Sequence, residues 1–142
     1  MATPVPSNSY RTLAVETAGP GRLILMLFDG ALRFLNAAET GFEEEDLRKR
    51  NEAINNNLVR VQNIVTELQR SLDLEQGGDF ARNMYALYDF MMTQIMEANM
   101  KKQIEPIRTV GRLLGDIREA WQEMLANQDD GATELSHFSG TA

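Results

Sequence analysis

Between Ile54 and Leu72 the chain reads INNNLVRVQNIVTELQRSL. Ile54, Leu58, Val61, Val65, Leu68 and Leu72 follow one another at alternating steps of four and three, and the residues between them are mostly polar. A half-buried strand would alternate at every second residue, whereas this spacing puts all six side chains on one stripe of a helix. A heptad-like stripe faces neighbouring helices at a shallow crossing angle, and Ile64 falls beside it and widens it. The spacing predicts a helix over about residues 46–72. Just before it, Glu43, Glu44, Glu45 and Asp46 are followed by Arg48, Lys49 and Arg50. Acids there meet the positive end of the helix dipole and the bases follow one turn later, as on an ordinary solvated helix start.

The same reading extends outward in both directions. Upstream, a helix is predicted from about Arg22 to Thr40, closing at Gly41, with Pro20 in its first turn and Thr17 near enough to cap it. Leu23, Leu27, Phe34 and Ala38 form one of its stripes, and Ile24, Phe28, Leu32 and Leu35 another. Apolar residues around so much of the circumference predict burial on more than one side, which suits a central helix. Downstream, Gly77-Gly78 signals a turn. A third helix is predicted from near Asp79 to Met100, with Phe80, Met84, Leu87 and Met91 as its stripe, broadened by Tyr85, Tyr88, Met92 and Ile95. A fourth starts at Glu105-Pro106 and ends near Ala126, with Ile107, Val110, Leu114, Ile117, Trp121 and Met124 stepping by three and four. Short connections make consecutive helices antiparallel neighbours. The expected architecture is an all-α, antiparallel up-down four-helix bundle over residues 22–127. Residues 1–21 precede it as an extended or short helical segment. Residues 128–142, polar and without period, are expected to be a disordered tail.

Composition narrows the chemistry. A chain of 142 residues with 43% apolar content is enough for one domain with a real core. The apolar run Leu23 to Phe28 is far shorter than the roughly 18 residues of a membrane span, so no membrane insertion is expected. Met1 to Pro6 has neither the basic nor the apolar region of a secretory signal, and a cytoplasmic protein is expected. Net charge is -7, which disfavours nucleic-acid binding, since phosphates need a cationic face. There is no cysteine, and the one histidine, His137, sits in the expected tail. Neither a di-iron Glu-x-x-His site, a phosphotransfer histidine nor a Ser-His-Asp triad can then be assembled in the bundle. Gly77-Gly78 is a turn rather than a phosphate cradle, and Glu67 and Asp89 lack an obvious carboxylate partner for acid–base work. No catalysis, metal site or cofactor is expected.

Two features exceed what a self-sufficient bundle requires. The third helix concentrates Met84, Met91, Met92, Met96 and Met100, and flexible methionines either fill an irregular core or line a surface that accommodates a partner helix. The first and third helices also carry more apolar faces than the roughly three positions in seven that one core covers. The surplus predicts an exposed groove, or one with a removable cover. Tyr10 and Leu13, tethered through Gly19-Pro20-Gly21, are suited to be that cover; the alternative is a simply anchored terminus. Burying the two side chains would contribute about 2–5 kcal/mol, less the cost of ordering the segment, so a longer apolar ligand could displace them.

Several blocks then resemble one family. These are Tyr10 after Asn8-Ser9, Leu23-Ile24-Leu25-Met26-Leu27-Phe28-Asp29-Gly30-Ala31, Ile64-Val65-Thr66-Glu67-Leu68 and Ser71-Leu72-Asp73. Gly77-Gly78, Leu87-Tyr88-Asp89-Phe90-Met91, Ala98-Asn99 and Arg118-Glu119-Ala120-Trp121 complete the set. In order and spacing, over roughly residues 8 to 125, the chain resembles the FliS family of flagellar secretion chaperones. The resemblance implies a four-helix bundle that binds the disordered C-terminal segment of flagellin. It would prevent premature polymerisation in the cytoplasm and deliver flagellin to the export gate, with its N-terminal segment giving way to the ligand. An anti-sigma factor is a further implied partner. Phe28 and Phe90 depart from the family pattern, which often has tyrosine there. The contacts carried over are Tyr10, Leu13, Ile64, Leu68, Tyr88 and Met91. Two other readings stay open: a regulatory binder of an anti-sigma factor or export-gate component, and a bundle that uses its apolar surplus to self-associate.

Overall fold

Each predicted stripe becomes a helix. The computed structural model describes residues 19–140, and side-chain surroundings for residues 19–128. Its elements are α1 (Pro20–Gly41), α2 (Leu47–Arg70), α3 (Gly78–Lys101) and α4 (Glu105–Gly140). The chain is the expected all-α four-helix bundle. Cross-links between helices show the antiparallel order. Asn99 donates to Asn55 at 2.8 Å and Gln69 donates to Asp89 at 2.7 Å, so rising numbers on α2 meet falling numbers on α3. Arg108 reaches Glu39 at 2.8 Å and Arg118 reaches Asp29 at 2.6 Å, which sets α1 against α4 in the same way.

The core is built on the α2 stripe. Ile54, Leu58, Val61, Val65 and Leu68 are all fully buried, while Leu72, past the helix end, is half-buried. They meet Phe28, Ala31, Leu35 and Ala38 from α1, Tyr88, Met91, Ile95 and Ala98 from α3, and Ile107, Val110 and Leu114 from α4. Apart from the Tyr88 phenol, no polar or charged side chain is buried among the described residues. Helix α1 is not central. It packs against α2 and α4, and α3 packs against the same two, so the four form a closed ring. Its wide apolar surface has another cause: Leu23, Ile24 and Leu27, on its first two turns, are only half-buried.

Local chemistry sets the helix ends. The Asp46 carboxylate accepts from the Lys49 amide at 3.0 Å and caps α2, satisfying one of the orphan donors at its start. Helix α1 instead starts on Gly19, which has no side-chain cap; its carbonyl accepts from Arg22 and Leu23 at 3.0 and 3.1 Å. Thr17 lies outside the described residues. Between α2 and α3, the Asp73 carboxylate holds the amides of Glu75 and Gln76, and the Asp73 carbonyl accepts from Gly77 at 2.7 Å. A Cβ on Gly77 would collide with that same carbonyl oxygen, and Gly78 has φ +59, so the two glycines do separate jobs. Helix α3 ends on Lys102, in the left-handed region at φ 52, with the Gln103 amide returning to the Ala98 carbonyl at 3.1 Å.

One expectation is corrected. The last helix does not stop near Ala126 but runs to Gly140. Once a helix is nucleated each further residue adds one hydrogen bond, and no proline follows Pro106 to stop it. Gly131 weakens the run by about 1 kcal/mol without ending it.

Two substitutions test the turns. Lys102→Gly should raise stability by about 0.5–1 kcal/mol, because the left-handed residue no longer carries a Cβ. Gly77→Ala should lower it by about 1–3 kcal/mol, since a backbone oxygen cannot step aside. Urea denaturation of both variants beside the parent checks the signs.

Candidate functional site

The buried core does not fill the length of the helices. Going towards the end of the bundle where α1 begins, the last buried side chains are Phe28 on α1, Leu68 on α2, Ala81 on α3 and Leu114 on α4. Beyond them, residues 19–27 and 115–128 contain no buried position. Yet the apolar stripe of α4 continues through Ile117, Trp121 and Met124, because α4 is longer than the helices it faces. Pro20 is the reason on the α1 side: the helix starts there and offers only two turns, with Leu23 and Ile24, to cover the stripe.

What results is a cleft of about 880 Å³. Leu23, Ile24 and Phe28 form one wall, Phe80, Met84 and Tyr88 the opposite one, and Ile117, Trp121, Met124 and Leu125 the side. Leu72, on the link between α2 and α3, also lines it, and its polar lining residues are Ser71, Asp73 and Gln128. Phe80 is 66% exposed and Met124 39%. The scaffold around this apolar surface is firm. The Trp121 indole N–H donates to the Gly21 carbonyl at 2.7 Å, which pins α4 to the first turn of α1. Leu125 lies so close to Gly21 that a Cβ there would press into its side chain. Arg118, paired with Asp29, supports the same junction one turn deeper, and that pairing holds its guanidinium above its ordinary range.

Tyr88 is the polar exception inside this wall. It is 3% exposed, and its hydroxyl has no hydrogen-bond partner among the described residues. Burial disfavours the phenolate and pushes its pKa up to about 12. A neutral hydroxyl on an otherwise apolar wall is a fixed point at which a bound chain can place a backbone carbonyl.

The residues singled out from the sequence are distributed unevenly. Tyr88 lines the cleft. Ile64 is half-buried in a second groove, between α1 and α2. Leu68 and Met91 are fully buried and belong to the core, with no surface offered to a partner. Tyr10 and Leu13 lie outside the described residues. The methionines of α3 divide as well: Met91 is core, Met84 lines the cleft, Met92 packs at its edge of the core, and Met96 and Met100 are 50% and 80% exposed. The spacing places Phe80, Trp121 and Met124 on helix stripes, whereas the structure puts all three in the lining of the cleft. The available signal was a stripe on the fourth helix that outruns Pro20, the point where the first helix must begin.

A sequence model of the family described as "Flagellar protein FliS" matches residues 3–128. The chain belongs to the FliS family. It is 33% identical over 128 residues to the flagellar secretion chaperone FliS of Bacillus subtilis, covering 90% of this chain and 92% of that one. It is 37% identical over 111 residues to the chaperone of the same name in Salmonella typhimurium, covering 78% and 80%. The flagellar secretion chaperone FliSB of Pseudomonas aeruginosa is 31% identical over 118 residues, covering 80% and 90%. These FliS relatives are named as chaperones, not as enzymes. Among the described residues, no helix of this FliS chain is long and apolar enough to cross a membrane.

The Tyr88 environment predicts a pH signature. With the folded pKa raised, the protonated phenol contributes stability that is complete below pH 10 and lost as pH rises from 10 to about 12. Tyr88→Phe removes that contribution, so the stability difference between parent and variant should drift towards the variant across this window. Parallel curves of urea midpoint against pH would show the phenol to be solvated instead.

Proposed function

We propose that the protein is a cytoplasmic flagellar export chaperone whose end cleft receives the apolar face of the disordered C-terminal segment of flagellin. One observation carries this reading: a firmly built apolar cleft of about 880 Å³ at the end where the bundle core runs out. A folded protein rarely leaves aromatic and methionine side chains such as Phe80 and Met124 on the rim of a large apolar hollow unless something fills it. A disordered segment that folds on binding gives up several kcal/mol in ordering, so it needs such a surface to bind usefully. While held there, its apolar face is not available for polymerisation, and the complex travels to the export gate as a unit.

Residues 1–18 enter this scheme as a competitor. Pro20 and Gly21 are on the rim of the cleft, so the chain before them departs from the rim. In the proposed cycle Tyr10 and Leu13 cover the cleft in the free chaperone and give way to flagellin. The population of covered chaperone lowers the apparent affinity in proportion. Methionine on the cleft wall suits a site that must accept two different occupants, because its side chain repacks at little cost.

Titration calorimetry of the full chain with the C-terminal segment of its cognate flagellin should show a one-to-one complex with a strongly negative heat-capacity change. Phe80→Ala, at an exposed position, should leave the melting temperature nearly unchanged and weaken binding by about 10- to 100-fold. Absence of binding by the parent chain would remove the reading altogether. Deleting residues 1–18 should tighten the complex, as expected for a displaced cover.

A further inference from the structure

The chain has eight methionines and no cysteine, so its oxidisable sulfur is thioether sulfur alone. Where a thioether sits decides two things: whether a dissolved oxidant reaches it, and whether its oxidation changes a working surface. Met91 is fully buried in the core and out of reach. Met96 and Met100 are open to solvent but line neither the end cleft nor the α1–α2 groove. Met84 and Met124 are the methionines that line the end cleft, Met84 half-buried on the α3 wall and Met124 more exposed on α4.

Tyr88 sets Met84 apart. It stands four residues further along α3, one turn away on the same wall. Helical side chains lean towards the N-terminal turn, so the Tyr88 ring lies over the turn that carries Met84. Its hydroxyl has no hydrogen-bond partner among the described residues, and a thioether sulfur is only a weak acceptor. The oxygen of a sulfoxide is a far more polar one, and on Met84 it would form one turn from that hydroxyl.

We propose that the end cleft is a site of methionine oxidation by hydrogen peroxide, at Met84 and Met124, and that the Tyr88 hydroxyl holds the oxygen gained by Met84. The consequence for holding an apolar chain rests on the end cleft being the substrate site. The thioether sulfur attacks one peroxide oxygen, and the S–O bond forms as the O–O bond breaks. The proton on the transferred oxygen passes to the departing one, which leaves as water. Sulfur gives up two electrons and the peroxide takes them. The wall then carries S=O dipoles that an apolar face must bury. On Met84 the change also takes the Tyr88 donor away from a bound chain. A covered or filled cleft shields both sulfurs, so the reaction draws on the open state.

The experiment treats the full chain with hydrogen peroxide and maps sulfoxides by mass spectrometry. Met84, Met124, Met96 and Met100 should be oxidised and Met91 should not. Prior addition of the C-terminal segment of the cognate flagellin should slow the reaction at Met84 and Met124 more than at Met100. Treated chaperone should bind that segment about tenfold or more weakly. A methionine sulfoxide reductase with a dithiol removes the oxygen as water, leaves a disulfide on the dithiol, and should restore binding. With Met84→Leu and Met124→Leu together, affinity after treatment should equal that variant's own affinity before it. Tyr88→Phe should enlarge the fall in melting temperature on oxidation, since the Met84 oxygen then lacks its donor. Unmodified Met84 and Met124 in a chain oxidised at Met96 and Met100 overturn the site. A loss of affinity that persists in the double variant overturns the consequence, and equal falls in melting temperature with and without the Tyr88 hydroxyl overturn its part. If the segment does not bind the untreated chain, the substrate reading fails, while mass and melting still decide the site and the role of Tyr88.

Discussion

The bundle is governed by a mismatch of lengths: its buried core stops before its helices do. Leu68, Ala81, Leu114 and Phe28 close the core, and apolar residues continue past them on α1, α3 and α4. The end cleft lies beyond that limit. A first helix with more turns before Leu23 would cover more of the α4 stripe. Pro20, at the start of α1, therefore helps to set the extent of the cleft that it also lines.

The uncovered surface is held in place by polar contacts at its margin. The Trp121–Gly21 bond and the Arg118–Asp29 pair tie α1 to α4 where the apolar packing thins out. Half-exposed ion pairs are worth little alone, and a hydrogen bond to a backbone carbonyl about 1 kcal/mol. Their value here is directional. They hold two helices at a spacing that the core no longer enforces there. At the other end the helices are fastened by packing itself, with Gly41 set against Ala53 and Ile54.

Much of the fold was legible because helices announce themselves locally. The α2 stripe, the acidic start of α2 and the Gly77-Gly78 turn each act within a few residues of themselves, and all stand where the spacing put them. The site was legible only in outline. Surplus apolar faces on the first and third helices pointed to an exposed surface, but burial is a property of the partner opposite. Met91 looks no different in sequence from Met84, yet the former is fully buried and the latter lines the cleft. Trp121 illustrates the same limit, since its place in a regular stripe says nothing of whether another helix reaches that far. The continuation of α4 to Gly140 was hidden for a related reason: polar residues without period do not favour a helix, but neither do they stop one already formed.

The Trp121 indole has one more consequence. It is the only tryptophan of the chain, and it stands in the wall of the cleft with its N–H on the Gly21 carbonyl. Its emission colour depends on how much water surrounds the ring, and the ring is half-exposed. The protein thus contains a single intrinsic optical probe, placed by the fold itself in the wall of the end cleft.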